Sequence, residues 1–393
     1  MLFVIFVIFV FLFIGGKTLF GGRTAVEKVN VGVVGCGAIS TIYLKNLTTV
    51  FSRILQVTCC SDLIASKAQD QADKFPGVKA VSVEQLLADR QVELIVNLTI
   101  PNAHAEVALR AVQAGKSVYN EKPLTITRDQ ARQLLAAAQK NNVLVGCAPD
   151  TFLGAGYQTC RKLVEEGRIG RPIAANANFL CRGHERWHPS PEFYYKKGGG
   201  PMFDMGPYYL TALVSLLGPV ARVCGSAVQS FPTRTITSQP LAGKTIEVEV
   251  PTHVAGVMEF ACGTVATIVT SFDVWASQAP RMELHGSEAS LVMPDPNTFG
   301  GKILLRPAAD KEWQEIPLAY GYAENSRGLG VADLARALRT GRAARAGGEL
   351  AYHVLDLMHA FHDAAAQRAS IELESSCAKP APLPLGLAAG DLD

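Results

Sequence analysis

Charge is scarce in this chain. Charged residues make up 18% of its 393 positions, against the ~25% usual for soluble domains. The 37 Lys and Arg nearly balance the 35 Asp and Glu, leaving a formal net charge of +2. No block of Lys or Arg stands out, so nothing points to a nucleic-acid surface. The CxxC spacing is also missing. Nine cysteines are scattered from Cys36 to Cys377. Their odd number and irregular spacing argue against a disulfide framework and for a reducing, cytoplasmic compartment. No apolar run reaches the ~20 residues of a membrane-spanning helix. The longest, Leu2 to Ile14, has the length of a signal-peptide core, yet no Lys or Arg precedes it and no small-x-small cleavage site follows. Three readings stay open: a start placed too far upstream, a signal peptide or loose anchor that would make the chain secreted or membrane-associated, and a packed element. Residues 1–27 are expected to be dispensable for folding, with membrane contact only if they are retained.

What is present is apolar. Hydrophobic residues account for 48%, which excludes a disordered chain, and the length suits two or three domains. The expected partner is a small molecule. Residues 28–148 read as a nucleotide-binding domain. Val29 to Val34 is a buried parallel strand, followed by Gly35-Cys36-Gly37-Ala38-Ile39-Ser40 and a helix-compatible stretch. This is GxGxxS: Gly35 for a tight turn, Gly37 for close approach to a pyrophosphate, Ser40 small enough for helix–strand packing, and a helix N-terminus to receive the anion. A second strand, 55–60, leads to Asp62, whose carboxylate can accept from ribose hydroxyls. Leu63 follows where an Arg or Lys would pair with a 2′-phosphate, so NAD is favoured over NADP unless an Arg from elsewhere, such as Arg53, intervenes. A strand over 92–100 delivers Thr99, Pro101 and Asn102 to the cofactor side, with His104 as a cap or cofactor neighbour. A strand over 117–120 delivers Glu121 and Lys122. Burial and positive neighbours would lower the Lys122 pKa toward working pH. The βαβαβ alternation predicts right-handed crossovers and a doubly wound parallel sheet.

Residues 149–375 read as a substrate domain. An aromatic and polar stretch over 181–200 offers His184, Trp187, His188, Tyr194 and Tyr195 as a platform for polyol binding. His184 to His188 matches HExxH, but Gly183 before it and Pro189 and Pro191 after it argue against a zinc helix, and no metal is expected. A helix pattern over 201–217 would place Asp204 and Tyr208 on one face, although Pro207 interrupts it. Meandering strands over 244–317 predict an antiparallel sheet closed by two helices. His353, His359 and His362 read as packing or surface residues of the last helix. The Pro-rich tail, 376–393, is expected to be weakly ordered.

Gly35-Cys-Gly37, Asp62, Thr99-Ile-Pro101 through His104, Glu121-Lys122-Pro123, Gly198-Gly-Gly200, Asp204 and Gly206 together make the chain resemble the Gfo/Idh/MocA oxidoreductases. The resemblance implies a Rossmann domain followed by an α+β domain with an open, mostly antiparallel sheet, one face for substrate and the other for a homo-oligomer contact. It implies NAD(P)-dependent hydride transfer at a hydroxyl carbon of a sugar, cyclitol or related polyol, with Lys122 catalytic. The family commonly carries Asp-x-Gly-x-His, and here Tyr208 stands at the histidine position. Lys122, Asp204 and Tyr208 are therefore expected to handle the proton, with Lys122 drawing the phenol pKa down. Two other functions remain: a lyase, epimerase or glycosidase that oxidises transiently and returns the hydride, and a cofactor-sensing protein without turnover.

Overall fold

The computed structural model describes residues 27–393. The apolar run 2–14 lies outside them. Short β-branched runs alternate with amphipathic helices from β1 (Val29–Val34) through α1 (Ser40–Thr48), β2 (Leu55–Ser61), α2 (Ala65–Lys74), β3 (Lys79–Ala80), α3 (Val83–Ala88), β4 (Leu94–Asn97), α4 (Pro101–Gln113), β5 (Ser117–Asn120) and α5 (Arg128–Lys140) to β6 (Val145–Cys147). The strands form one parallel sheet in the order β3-β2-β1-β4-β5-β6. Residues of β1, β4 and β5 are almost wholly buried, because helices cover both faces. The order reverses at β1 and β4, and the crevice beyond their carboxyl ends is where such sheets take ligands. The strand expected over 92–100 is shorter: it stops at Asn97, and Pro101 opens α4.

The second half runs α6 (Ala155–Glu165), β7 (Pro172–Leu180), α7 (Gly200–Asp204), α8 (Gly206–Leu217), β8 (Val220–Val228), β9 (Thr233–Thr235), β10 (Thr245–Glu247), β11 (His253–Phe260), β12 (Val265–Ser271), β13 (Met282–Gly286), β14 (Ala289–Met293), β15 (Ile303–Pro307), β16 (Gln314–Ile316), α9 (Leu329–Thr340), α10 (Gly348–Gln367) and β17 (Ile371–Glu372). Nine strands make one open sheet, β16-β15-β14-β13-β7-β12-β11-β8-β17, antiparallel except where β12 runs parallel to β7. The strand expected to begin at Thr245 pairs outside this sheet, as β10 with β9. Helices α8 and α10 pack on one face. The opposite face carries exposed Val228 and Val265.

Two expectations are corrected. The helix over 201–217 is two helices, broken at Met205. Pro207 lacks the N–H that would continue α7 and sits instead in the first turn of α8, where no donor is required. Asp204 ends one helix and Tyr208 sits in the first turn of the next. The tail, in turn, is tied across the surface. Arg161 donates to the Pro380 carbonyl, Leu383 N donates to Gln158 Oε1 at 2.8 Å, Tyr322 OH to the Asp391 carbonyl at 2.6 Å, and Arg345 pairs with Asp393 at 2.9 Å. Leu383 and Leu392 are buried. Composition predicts disorder only for a segment with nothing to bind, and here buried arginines supply the partners. Among the described residues no helix is long and apolar enough to cross a membrane.

Candidate active site

The glycine turn after β1 has the shape that anion binding needs. Gly35 takes φ +99°, and a Cβ there would lie 2.6 Å from the Leu98 backbone, so only glycine fits. A Cβ on Gly37 would meet nothing within 4 Å, and that open space is what an approaching pyrophosphate would fill. Ser40 Oγ donates to the Gly37 carbonyl at 2.6 Å and locks the turn into α1. Asp62 reaches the same turn: Cys36 N donates to its Oδ2 at 2.8 Å, and Ile64 N to its Oδ1 at 2.8 Å. Leu63 is fully exposed beside it. Arg53 is drawn away, paired with Asp391 of the tail at 2.8 Å. A dinucleotide therefore fits: the turn and α1 for its phosphates, Asp62 for a ribose. Ala38 is exposed at the turn, Asn102 is exposed in the first turn of α4, and Ile39, Thr99 and Pro101 line the cavity that follows.

That cavity, about 250 Å³, opens between the two sheets. Ile39, Thr99, Pro101, Glu121 and Lys122 wall it on the nucleotide side, and Phe193, Tyr194, Phe203, Asp204 and Tyr208 on the other. Lys122 Nζ donates to Asp204 Oδ1 at 2.9 Å and to the Asp204 carbonyl at 2.7 Å, and lies 5.2 Å from the centre of the Tyr208 ring. Glu121, also on the cavity wall, accepts from Tyr43 OH of α1 at its Oε1 at 2.7 Å, which braces the end of β5 against α1.

The electrostatics correct one expectation. Burial alone would lower the Lys122 pKa, but the Asp204 carboxylate, with Tyr208 and Glu121 close by, outweighs burial and raises it. Lys122 is an ammonium at working pH, not a free base. Burial would raise the Asp204 carboxyl, yet Lys122 and His184 hold it well below the usual carboxylate range. Tyr208 is raised, chiefly by burial. The Lys122 and Arg327 charges only partly offset that, and Glu121 adds to it. Lys122 thus draws the phenol down in direction, as expected, but not below its ordinary value.

Other candidates fall elsewhere. His104 is fully buried behind the site, with Nδ1 2.7 Å from the Pro123 carbonyl and Nε2 3.0 Å from the Thr99 carbonyl. It neither caps α4 nor faces the cofactor. Tyr195 is fully buried and donates to Glu185, which also takes Arg234 at 3.2 Å, so it belongs to the core rather than to a substrate platform. Tyr194 lines the cavity. His184, Trp187 and His188 do not line it: His184 Nε2 is 2.8 Å from Asp204 Oδ2, exposed Trp187 donates through Nε1 to His184 Nδ1 at 3.1 Å, and His188 stacks edge-on against Tyr194 at 5.3 Å. Phe203 escaped the sequence reading, which named Gly199 only as part of the Gly198–Gly200 pattern and gave it no role. A Cβ on Gly199 would press the Phe193 and Tyr194 carbonyls at 2.5 and 2.6 Å, so the triple glycine lets that loop close on the cavity. Phe203, beside Asp204, could have been found from that adjacency alone. Phe203 also packs on His359 and His362, which explains those two histidines as packing residues.

A six-stranded 3-2-1-4-5-6 sheet, a glycine turn with a carboxylate after β2, and a lysine–carboxylate–phenol group in the adjoining cavity define a nucleotide-dependent oxidoreductase. Residues 29–148 match the oxidoreductase family NAD-binding Rossmann fold and residues 157–292 the GFO/IDH/MocA C-terminal domain. The chain belongs to the GFO/IDH/MocA family. It is 22% identical over 385 residues to scyllo-inositol 2-dehydrogenase (NADP(+)) IolW of Bacillus subtilis, covering 91% of this chain and 99% of that one. It is 30% identical over 248 residues to 1,5-anhydro-D-fructose reductase of Ensifer adhaerens, covering 62% of this chain and 69% of that one. Levoglucosan dehydrogenase in complex with NADH shares the fold at a TM-score of 0.76 and 19% identity, over 89% of this chain and 100% of that one.

Proposed function

We propose that the chain is an NAD-dependent dehydrogenase moving a hydride between nicotinamide and a carbinol carbon of a neutral sugar, cyclitol or related polyol. The observation that carries this is Lys122, Asp204 and Tyr208 converging on one cavity that Ile39, just after the glycine turn, also lines. The bound nicotinamide would supply the hydride acceptor or donor, held by the glycine turn, Asp62 and the residues around Thr99. Lys122 keeps its charge and offers an N–H to the substrate oxygen, stabilising negative charge there. Asp204 holds that ammonium in place. Tyr208, a neutral phenol near pH 7, donates its proton to the substrate oxygen in reduction, and takes the hydroxyl proton as phenolate in oxidation. Among the described cavity residues the one cation, Lys122, is already paired with Asp204. That supports a neutral substrate rather than a sugar acid or phosphate. The relatives named for inositol and anhydrofructose support the same class.

For the cofactor, exposed Leu63 and the diversion of Arg53 to the tail favour NAD over NADP. The free cysteines support a reducing, cytoplasmic setting. The exposed apolar face of the nine-stranded sheet is where a homo-oligomer contact would form. A panel of sugars and polyols with NAD and NADP, followed by absorbance of the reduced nicotinamide, tests the reading. Product formation without free NADH would replace it with internal hydride return. NAD affinity without hydride exchange on any polyol would replace it with a cofactor sensor.

A further inference from the structure

His184 is only 8% exposed and does not line the cavity, yet both of its ring nitrogens are engaged. Trp187 Nε1 lies 3.1 Å from Nδ1. An indole N–H can only donate, so Nδ1 presents its lone pair, and the proton of the neutral ring sits on Nε2. That N–H faces Asp204 Oδ2 at 2.8 Å. The other carboxylate oxygen takes Lys122 Nζ at 2.9 Å. Donation thus runs in one direction, from Trp187 to His184 to Asp204. Edge-on contacts with Tyr194 at 4.5 Å, Phe272 at 4.7 Å and Trp187 at 5.2 Å pack around the imidazole. Lys122 spends two of its three N–H bonds on Asp204 and keeps the third for the cavity.

We propose that His184 is a positioning residue for the hydride-transfer site: it receives a hydrogen bond from Trp187 and passes one to Asp204, and so fixes the carboxylate that aims the Lys122 ammonium. A carboxylate held at one oxygen alone can rotate about its χ2. Held at both, it sets the direction of the remaining Lys122 N–H. The 181–199 loop then acts on the chemistry through this chain rather than by contacting substrate with its histidines. The proposal rests on the dehydrogenase reading for its effect on turnover, but not for its geometry.

The test uses the full chain in two measurements. In the protein labelled with ¹⁵N-histidine and free of substrate, two-bond ¹⁵N–¹H spectra, assigned with His184→Gln, should show the Nε2–H tautomer of His184. Trp187→Phe should lift that fixation. In turnover, His184→Leu should lower kcat roughly 10- to 100-fold, the worth of a hydrogen bond to a charged group, with NAD affinity unchanged. His184→Gln, whose amide donates near the same place, should recover most of it. An Nδ1–H tautomer, an unaltered kcat in His184→Leu, or a Gln variant no better than Leu at equal melting temperature would overturn the proposal. Absence of turnover in the wild-type chain would instead count against the dehydrogenase reading, and the tautomer alone would then decide the role of His184.

Discussion

Lys122 Nζ and the Asp204 carboxylate meet at 2.9 Å across the seam between the two sheets, one from the carboxyl end of β5 and the other from the last turn of α7. Both side chains are largely buried, and each is the main reason the other keeps its charge against desolvation. Breaking such a pair on one side leaves an uncompensated charge in the protein.

Lys122→Met is therefore expected to abolish nearly all hydride transfer and to lower the melting temperature, while NAD affinity, measured by fluorescence titration, changes little. Asp204→Asn should keep the fold better, because the amide can still accept from Lys122, and should lose turnover less completely. Wild-type kcat in Lys122→Met would remove the lysine from the chemistry.

Tyr208→Phe should cut turnover roughly 10²- to 10⁴-fold, the usual weight of a general acid or base. Because burial raises the phenol pKa, the oxidation rate should climb with pH well into the alkaline range, while reduction stays flat across neutrality. Tyr208→His should restore part of the activity and move the rise toward pH 7. If the Phe variant kept the wild-type rate and pH profile, Tyr208 would be a packing residue.

NAD should bind more tightly than NADP, since the Asp62 carboxylate would repel a 2′-phosphate and among the described residues it is paired with backbone N–H groups rather than with a cation. Leu63→Arg, at a fully exposed position, should narrow the gap. The check is a pair of binding titrations, and a preference for NADP in the unaltered chain would refute the assignment of Asp62.

Acid should weaken the fold through His353. Burial lowers its pKa to about 4, and its Nε2 accepts from Val220 N at 3.0 Å. The unfolded imidazole takes its proton near 6.5, whereas the folded ring resists until about pH 4. Its contribution is thus complete above about pH 6.5 and is lost as pH falls toward 4, by roughly 3 kcal/mol at most. Half-buried His359, also lowered to about 4, chiefly by burial, acts in the same direction. Urea midpoints between pH 7.5 and 4.5 should fall for the wild type and fall less for His353→Gln; parallel slopes would exclude His353 as a source.

Removing residues 383–393 should destabilise the chain by stripping the partners of Gln158, Tyr322 and Arg345 and exposing the surfaces under Leu383 and Leu392. A melting curve unchanged by the truncation would show these contacts to be dispensable.

The sequence by itself determined the nucleotide half. Its strands are buried on both faces, so they read as apolar β-branched runs, and Gly35, Gly37 and Asp62 lie at fixed short spacings from them. Lys122 was legible as a chemistry-bearing residue because it follows the carboxyl end of a strand, and Asp204 because it falls in the family pattern and would share a helix face with Tyr208. That they would act together was expected from the resemblance, but the direct Lys122–Asp204 contact was not legible in any local pattern, since 82 positions separate them and two domains must close to make it. The tertiary structure also decided that Lys122 stays protonated, because only the distance to Asp204 shows that Coulomb attraction outweighs burial. It decided that Tyr195 faces the core while Tyr194 faces the cavity, because a loop without a regular period gives no direction for its side chains. It decided the fate of the Pro-rich tail as well: composition describes what a segment can do alone, and the anchoring groups lie on Arg161, Tyr322 and Arg345, far from it in sequence.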